Sequence, residues 1–466
     1  MLGPHLQSDR LNGRRLAPLF VALAAFALAL VTPPGDPDTY WHLASGKWML
    51  EHGQLLRTDV FSSTVNGQPY SVGEWLGQIV LYVAYLAGGW TGLVVLRGLL
   101  VGVCAFFLTR VALRGSSPVI VAVPVSCAAL LLSEIVWTDR PHLFTLALFP
   151  LLLDLLFAAR AGRFRLLLAV PPIMLLWTNL HGGYAVGLAL IGIFTLEALL
   201  TRRNFAAFAI TVTTAFAASL VDPGSLGLGA AAAHATAPPR FIVEESPPDV
   251  TRPAGFVFAA FIIGTLALGM RGGATLLDLL LLAPLLWLGL SAQRHMPYFA
   301  FAAVPFISAA LPRAWAPFEA WLSRRRPYPR AAVIGFGAGV AAMALVGVAF
   351  VPSAPNERAY PTAALDAVRS SSGVLLNEYD WGGYLIWRAP ERPVFVDGRL
   401  FPFLPDVFAD WREAVELGPR WKEVLDRYNV AQVLLRPDRA LVSALRERGW
   451  RVVTEDARAV LLERPR

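Results

Sequence analysis

Residues Leu16–His42 read LAPLFVALAAFALALVTPPGDPDTYWH. The apolar run Leu16–Val31 stops at Pro33-Pro34-Gly35. Two carboxylates (Asp36 and Asp38), an aromatic pair (Tyr40 and Trp41) and a histidine (His42) follow at once. A hydrocarbon core about 30 Å thick needs roughly 20 mostly apolar residues in a helix. The run is therefore a membrane segment that emerges into water just before Asp36. A hydrophobic anchor has no use for an acidic pair at that point, whereas an enzyme acting on a lipid-linked substrate does. Ala27-Leu28-Ala29 imitates a signal-peptide cleavage site, but the motif after it would gain nothing from being cut free, so the segment reads as a retained helix.

Composition agrees. The 466 residues are 56% hydrophobic and 16% charged, against about 25% charged in soluble proteins. The deficit points to the membrane class. The formal charge of +7 is carried by arginine, since Lys47 and Lys422 are the only lysines. In a soluble chain such a basic balance would suggest nucleic acid. Here the arginines stand between apolar runs, so membrane topology accounts for them and no nucleic-acid partner is expected. Cys104 and Cys127 lie inside apolar runs and form no disulfide or metal-type spacing.

Ten further apolar runs follow the first: Thr91–Thr109, Val119–Val136, Leu143–Ala159, Leu166–Trp177, Ala185–Leu200, Phe205–Val221, Ala254–Met270, Thr275–Leu290, Pro297–Leu311 and Ala331–Val351. Val72–Leu86 is interrupted by Glu74, Gln78 and aromatics and reads as an interfacial or re-entrant helix. With that choice Arg10/Arg14/Arg15, Arg110/Arg114, Arg160/Arg163/Arg165, Arg202/Arg203, Arg271, and Arg313 with Arg324–Arg326 and Arg330 all fall on one side, as the positive-inside rule requires. The expected architecture is an α-helical polytopic membrane protein of about eleven spans with its N-terminus cytoplasmic. Trp41, Trp48, Trp75, Trp90, Trp137 and Trp177 read as an aromatic belt.

From Pro352 the chain becomes soluble in character. Val374–Leu376, Val394–Val396, Gln432–Leu435, Arg451–Thr454 and Ala459–Leu462 read as short buried strands. Thr362–Arg369, Val407–Glu416, Arg420–Tyr428 and Arg439–Arg448 read as helices between them. Residues 352–466 are thus expected to form a small extracytoplasmic α/β domain. Residues 1–351 form the membrane domain, with a large first outer loop at 33–90.

With this topology the unusual polar residues collect on the outer face. They are Asp36/Asp38/His42, Asp139/Arg140/His142, Asn179/His181/Tyr184, Asp222 with Glu244/Glu245, and Arg294/His295. Carboxylates two residues apart suit Mg²⁺ or Mn²⁺, with Asp36, Asp38 and Glu244 as candidate ligands; the residues do not demand a metal. Alternatively, one carboxylate is a general base that deprotonates an acceptor hydroxyl. Asp36 also reads simply as a helix N-cap. Arginine and histidine suit a phosphate held at the membrane surface, because charge-assisted hydrogen bonds stabilise a leaving oxyanion. Arg97 and Glu134 lie inside the spans, where ionisable groups face a cavity or each other.

The run Asp36-Pro-Asp-Thr-Tyr-Trp-His-Leu, with Glu51-His-Gly53 and Arg57-Thr-Asp59, resembles the first outer loop of GT-C-type membrane glycosyltransferases. That class uses polyprenyl-phosphate-linked sugars and includes the oligosaccharyltransferases. The resemblance implies that Asp38 is the essential aspartate, with Asp36 and His42 beside it, and that an interfacial helix precedes the second span. Asn377-Glu-Tyr-Asp-Trp-Gly-Gly-Tyr-Leu-Ile-Trp387 and Arg392-Pro-Val-Phe-Val-Asp-Gly-Arg399 are similar in part to the tryptophan-aspartate-glycine segment that helps hold the acceptor in oligosaccharyltransferases. The doubled tryptophan is absent. The resemblance places Asp380, Trp381, Tyr384, Asp397 and Arg399 on the acceptor side; the competing reading is a packed turn with Trp381 and Tyr384 in a core. Arg140–Phe144 and Trp177–Gly183 complete a layout resembling a broad group of bacterial membrane proteins. No clear copy of the second acidic motif of oligosaccharyltransferases exists; the resemblance leaves Asp139 or Asp222 as its substitute, and Glu244 or Glu245 in the part of the later-loop glutamate.

These observations lead to an expected glycosyltransferase of the plasma (inner) membrane. It would move a sugar from a polyprenyl-phosphate-linked donor to a glycan, lipid or protein acceptor at the outer face. Asp38, Asp36 and His42 would be catalytic; Arg140, His142, Asn179, His181, Arg294 and His295 would bind the lipid phosphate. The alternative is a non-catalytic transporter or a lipid-linked glycan binding and assembly protein. A transporter would place its polar groups at mid-membrane in repeated halves, and neither feature is present in the sequence.

Overall fold

The computed structural model describes residues 4–115, 117–223, 243–324 and 330–465. Arg325 and Arg326 of the expected basic cluster, and residues 224–242 of the 222–253 loop, lie outside the described residues. The chain forms two compact units, Met1–Thr32 with Val94–Pro352, and Pro33–Leu93 with Ser353–Arg466.

The first unit is helical. Its elements are α1 (Pro4–Leu30), the later arm of α3 (Trp75–Ala112), α4 (Val119–Leu132), α5 (His142–Arg160), α6 (Val170–Leu180), α7 (Tyr184–Leu200), α8 (Phe205–Ser219), α9 (Pro253–Leu268), α10 (Leu276–Ser291), α11 (Met296–Ala314), α12 (Ala316–Arg324) and α13 (Arg330–Ala349). Among the described residues six helices are long and apolar enough to cross a membrane, and five more are shorter apolar helices. Together they coincide with the eleven apolar runs. Starts and stops follow local chemistry. Pro171 and Pro172 sit in the first turn of α6, where a missing N–H costs nothing. Thr275 and Asp278 form a capping box at α10, each side chain taking the other's orphan backbone N–H.

Inside, Phe149 lies 5.3 Å from Tyr298, and Phe258 lies 5.8 Å from Phe299, ring to ring. Outside, Leu168, Ile210, Met270, Trp287 and Leu345 are each more than three-fifths exposed. A surface as apolar as its core needs lipid as its solvent, and helices meet that solvent because they satisfy their own backbone hydrogen bonds. This is a membrane protein.

Arginines at one end of this bundle are neutralised from within it. Asp154 of α5 accepts from Arg110 at 3.1 Å and Arg114 at 2.6 Å, and Glu197 of α7 accepts from Arg160 at 2.9 Å. Charge patterning along the sequence exposes the basic clusters but not these partners. Arg97 and Glu134 do not face each other. Glu134 is exposed, whereas Arg97 is paired with Asp139 at 2.9 Å, with both side chains 2% exposed. Arg97 also donates to the carbonyls of Ala29 and Thr32. It thus ties the last turn of α1 to the Asp139–His142 segment. The carboxylate of Asp139, one candidate for the second acidic motif, thus takes part in a buried ion pair.

The second unit holds α2 (Pro37–His52), the earlier arm of α3 and the tail. Asp36 is the N-cap of α2, its side chain accepting the Asp38 N–H at 2.9 Å; Pro37 opens the helix and Gly53, at φ +63°, closes it. Within α3 the helical dihedrals break at Gly88 and Gly89, so Val72–Leu86 belongs to an arm distinct from Thr91–Thr109. The tail carries a four-stranded sheet of order β1-β2-β4-β3, built from β1 (Val374–Asn377), β2 (Val430–Leu435), β3 (Arg451–Glu455) and β4 (Val460–Glu463). The β1–β2 pair is parallel and the other two pairs are antiparallel.

Three expectations are corrected here. The 33–90 segment groups with the tail rather than the membrane bundle, because Tyr40 of α2 sits in an aromatic core with Tyr360, Tyr384 and Trp90, at ring distances of 5.2–5.4 Å. Val394–Val396 is not a strand of the sheet. Val394 instead pairs with the first-loop segment, Ser63 N–H donating to its carbonyl at 2.8 Å and its own N–H to Phe61 O at 3.1 Å. The aromatic belt is partly core: Trp41, Trp137 and Trp177 are all less than one-tenth exposed.

Candidate active site

In the helical unit, four of the five polar groups gather at the end of α5 that starts with His142. Arg160 marks the opposite end of this 19-residue helix, about 28 Å away at 1.5 Å per residue. Arg140 forks onto Glu244, Nη2 to Oε2 at 2.9 Å and Nη1 to Oε1 at 3.3 Å, while its Nε donates to Thr138 Oγ1 at 3.0 Å. Arg294 reaches Glu245 at 2.6 Å. The Gln293 N–H donates to Ser246 O at 2.9 Å and fastens the glutamate turn to the arginine turn. The rings of His142 and His181 meet edge to face at 6.3 Å.

The hydrogen-bond network assigns the His181 tautomer. The Trp177 indole N–H donates to Thr145 Oγ1 at 2.7 Å. That hydroxyl in turn lies 2.7 Å from His181 Nδ1, which also accepts the Gly183 N–H at 3.0 Å. Nδ1 is therefore an acceptor and the ring proton sits on Nε2. Burial first, then the charges of His142, Arg294 and Arg140, holds the His181 pKa well below its ordinary 6.5. The ring is neutral at pH 7 and offers one fixed N–H donor. Since the unfolded chain takes up this proton near pH 6.5 and the folded chain refuses it, stability falls as pH drops. Wild-type unfolding measured from about pH 7 to about pH 5 should show this slope, and His181→Gln should remove that share of it; an unchanged slope would count against the assignment. Glu245 is pushed up by burial, partly offset by Arg294.

Three members of the expected phosphate set make contacts within the protein. Asn179 gives its amide protons to Leu175 O and Val221 O, both at 2.8 Å, and so staples the end of α6 to the chain after α8. His142 Nε2 donates to Val136 O and holds the turn that precedes α5. His295 stacks on Tyr298 at 5.9 Å and receives Arg294 Nε at 3.3 Å, which orients that guanidinium.

In the second unit Asp38 is half-buried in the first turn of α2, with Oδ1 accepting the Trp41 Nε1–H at 3.0 Å. The tail motifs close on this turn. A Cβ at Gly383 would lie 2.6 Å from Pro37 O and 3.2 Å from Trp41, and one at Gly398 would overlap Asp38 Oδ1. Both glycines are there because backbone must approach the Asp38 turn this closely. Gly398→Ala should destabilise the second unit by about 1–3 kcal/mol, the usual cost of overpacking a tight contact, read in thermal unfolding; unchanged stability would mean that the Asp38 turn yields to the added methyl group.

The remaining expected residues are mostly buried. His42 is 3% exposed, 3.6 Å from the Trp41 ring centre and 3.4 Å from Gln78 Nε2. It is a buried histidine packed on Trp41, whose indole N–H donates to Asp38. Trp381, Tyr384, Asp397 and Arg399 are each at most 4% exposed, which fits the packed-turn reading. Trp381 donates to Ala359 O at 3.0 Å, and Tyr384 lies 3.3 Å from Glu357. Asp380 is exposed but paired with Arg436 at 2.8 Å. Arg399 lies between Asp397 and Asp59, at 2.6 Å from each.

The candidate metal ligands have partners within the protein. Asp36 acts as a helix cap and Glu244 as the partner of Arg140. No three His, Cys, Asp or Glu side chains gather in a metal-holding group among the described residues.

The fold that carries these groups is that of the GT-C membrane glycosyltransferases. No protein-family model matches the sequence, and no curated protein matches it. Among solved structures, the archaeal oligosaccharyltransferase AglB from Archaeoglobus fulgidus, in complex with an inhibitory peptide and a dolichol-phosphate, is similar with a TM-score of 0.59 at 12% identity. That match covers 91% of this chain and 69% of that one. The Archaeoglobus fulgidus oligosaccharyltransferase tethered to an acceptor peptide containing the NVT sequon is similar with a TM-score of 0.56 at 12% identity, covering 92% and 69%. ArnT from Cupriavidus metallidurans in the apo state is similar with a TM-score of 0.55 at 16% identity, covering 97% of this chain and 98% of that one.

Proposed function

We propose that this protein transfers a sugar from a polyprenyl-phosphate-linked donor to an acceptor at the outer face of the plasma membrane. The observation that carries the reading is the convergence of Arg140, Arg294 and the neutral N–H donor of His181 at one end of an apolar helical bundle. That is the donor set a phosphate at a membrane surface needs: two guanidiniums for charge and geometry, and one neutral donor.

The chemistry follows from what each group offers. The acceptor hydroxyl oxygen attacks the anomeric carbon as the bond from that carbon to the phosphate oxygen breaks, with inversion. A base takes the hydroxyl proton, and the resemblance of its loop to the first outer loop of GT-C enzymes supports Asp38 for that role. The bonding electrons leave on the phosphate, and Arg140, Arg294 and His181 stabilise the charge that develops there. The phosphate carries more charge in the transition state than in the donor's phosphodiester, so these donors hold the transition state more tightly than the donor, which is the differential required for catalysis. Trp41, His42, Gly383 and Gly398 hold the Asp38 turn. The basic end of the bundle lies in the cytoplasm in this reading, and the tail domain is extracytoplasmic.

The test is binding of a polyprenyl phosphate to the full chain in nanodiscs. Arg140→Gln with Arg294→Gln should weaken it about a hundredfold, from two charge-assisted contacts at about 1.4 kcal/mol each. Unchanged binding in that variant would refute the assignment of the phosphate.

A further inference from the structure

We infer that Glu244 and Glu245 are specificity-determining residues that make the lipid-phosphate site select a monophosphate over a diphosphate. The inference rests on the reading of Arg140 and Arg294 as phosphate ligands and deepens it. The two arginines do not present bare charge. Arg140 is held by both oxygens of Glu244, and Arg294 by Glu245 at 2.6 Å. The glutamates belong to the short turn Val243–Glu245, which the backbone bond from Gln293 to Ser246 fastens beside Arg294. Their side chains are 32% and 12% exposed, against 18% and 44% for their arginine partners. These are partly desolvated pairs, in which charges act at higher strength than at an open surface.

The formal charges of the four side chains sum to zero. His181 adds a donor and no charge. A lipid phosphate therefore meets no net charge from these two pairs. It either shares each guanidinium with a carboxylate that stays, or displaces that carboxylate. If the carboxylates stay, they repel the ligand in proportion to its charge. If they leave, the penalty is fixed, but the second phosphate of a diphosphate then competes with them for the same two arginines. Two arginines without glutamates would favour the more highly charged diphosphate. With them, the singly charged phosphodiester donor and its phosphate product are preferred. The same pairing helps the phosphate product to leave, since the glutamates reclaim the arginines.

The test uses the full chain in zwitterionic nanodiscs, with a polyprenyl phosphate and the polyprenyl diphosphate of the same chain length as ligands. Wild-type protein should bind the monophosphate at least as tightly as the diphosphate. Glu244→Gln with Glu245→Gln keeps side-chain size and removes both charges. It should tighten monophosphate binding about tenfold and diphosphate binding about a hundredfold, because Coulomb repulsion scales with ligand charge. Each single variant should show roughly half of either change on a logarithmic scale, and serves if the double variant fails to fold. Inorganic phosphate and pyrophosphate as competitors should show the same reversal if the headgroup, rather than the lipid chain, is what the glutamates sense. An unchanged monophosphate-to-diphosphate ratio, or weaker binding of both ligands, would overturn the inference. If Arg140→Gln with Arg294→Gln also leaves binding intact, the phosphate site itself is misplaced; if that variant loses binding while the glutamate variants keep the wild-type ratio, only the selectivity role fails.

Discussion

Asp38→Asn should lower kcat by about a hundredfold to ten-thousandfold, the range that general-base catalysis supplies, with thermal unfolding unchanged. The substitution keeps the side chain's shape and its ability to accept the Trp41 Nε1–H, now made at 3.0 Å. It removes the negative charge and with it the capacity to take a proton. Asp36 provides the contrast. Its carboxylate accepts the Asp38 N–H as the helix cap, and asparagine caps a helix nearly as well as aspartate. Asp36→Asn should therefore keep most of the activity, within about threefold, a few tenths of a kcal/mol. Equal losses in the two variants would mean that the acidic pair acts as a unit and that Asp36 is more than a cap. Full activity in Asp38→Asn would remove it as the base.

Arg399→Met should destabilise the second unit by about 3–5 kcal/mol, the usual cost of leaving buried charges without their partner. The Arg399 side chain is fully buried, as are those of Asp59 and Asp397, and it lies 2.6 Å from both. Burial alone would pull its pKa down, but the two carboxylates outweigh that and hold it above its ordinary value. The guanidinium also sits over Phe61, Tyr70 and Phe403 at 5.1–5.7 Å. It joins the first loop to the tail segment that carries Gly398, and Gly398 abuts Asp38. Unfolding of the variant should come earlier in denaturant, and adding Asp59→Asn and Asp397→Asn should restore part of the loss. A change below about 1 kcal/mol would mean that the triad is solvated and not a clamp.

The eleven apolar helices were legible because each is a run of apolar residues bounded by proline, glycine or arginine, and such runs have one stable form in lipid. The outer polar groups were legible for a similar reason: Arg140, His181, Arg294 and Glu244 stand at run ends where nothing apolar explains them. Partnership was not legible. Arg97 with Asp139, and Arg110 and Arg114 with Asp154, are pairs more than 39 residues apart, and no local pattern joins them. Helix Gly382–Arg388 was missed because it opens on a glycine pair, which is unfavourable for helix by propensity. Its reason is tertiary, since Gly383 must meet the Asp38 turn. The tail residues were judged by resemblance as acceptor ligands, yet Trp381 and Tyr384 complete the aromatic core around Tyr40. Aromatic residues at the end of a membrane segment suit an interface belt and a folded core equally well, and only the tertiary contacts distinguish the two.

Sugar transfer is tested most directly by release of free polyprenyl phosphate from a panel of polyprenyl-phosphate sugars, with the full chain in nanodiscs and an acceptor pool supplied, in the presence and absence of Mg²⁺ or Mn²⁺. The expected result is release from one donor class, lost in Asp38→Asn and reduced in the Arg140 and Arg294 variants. No release from any donor, by protein that is folded and binds polyprenyl phosphate, would contradict the transfer reaction and leave a protein that binds or moves lipid-linked glycans without transferring them.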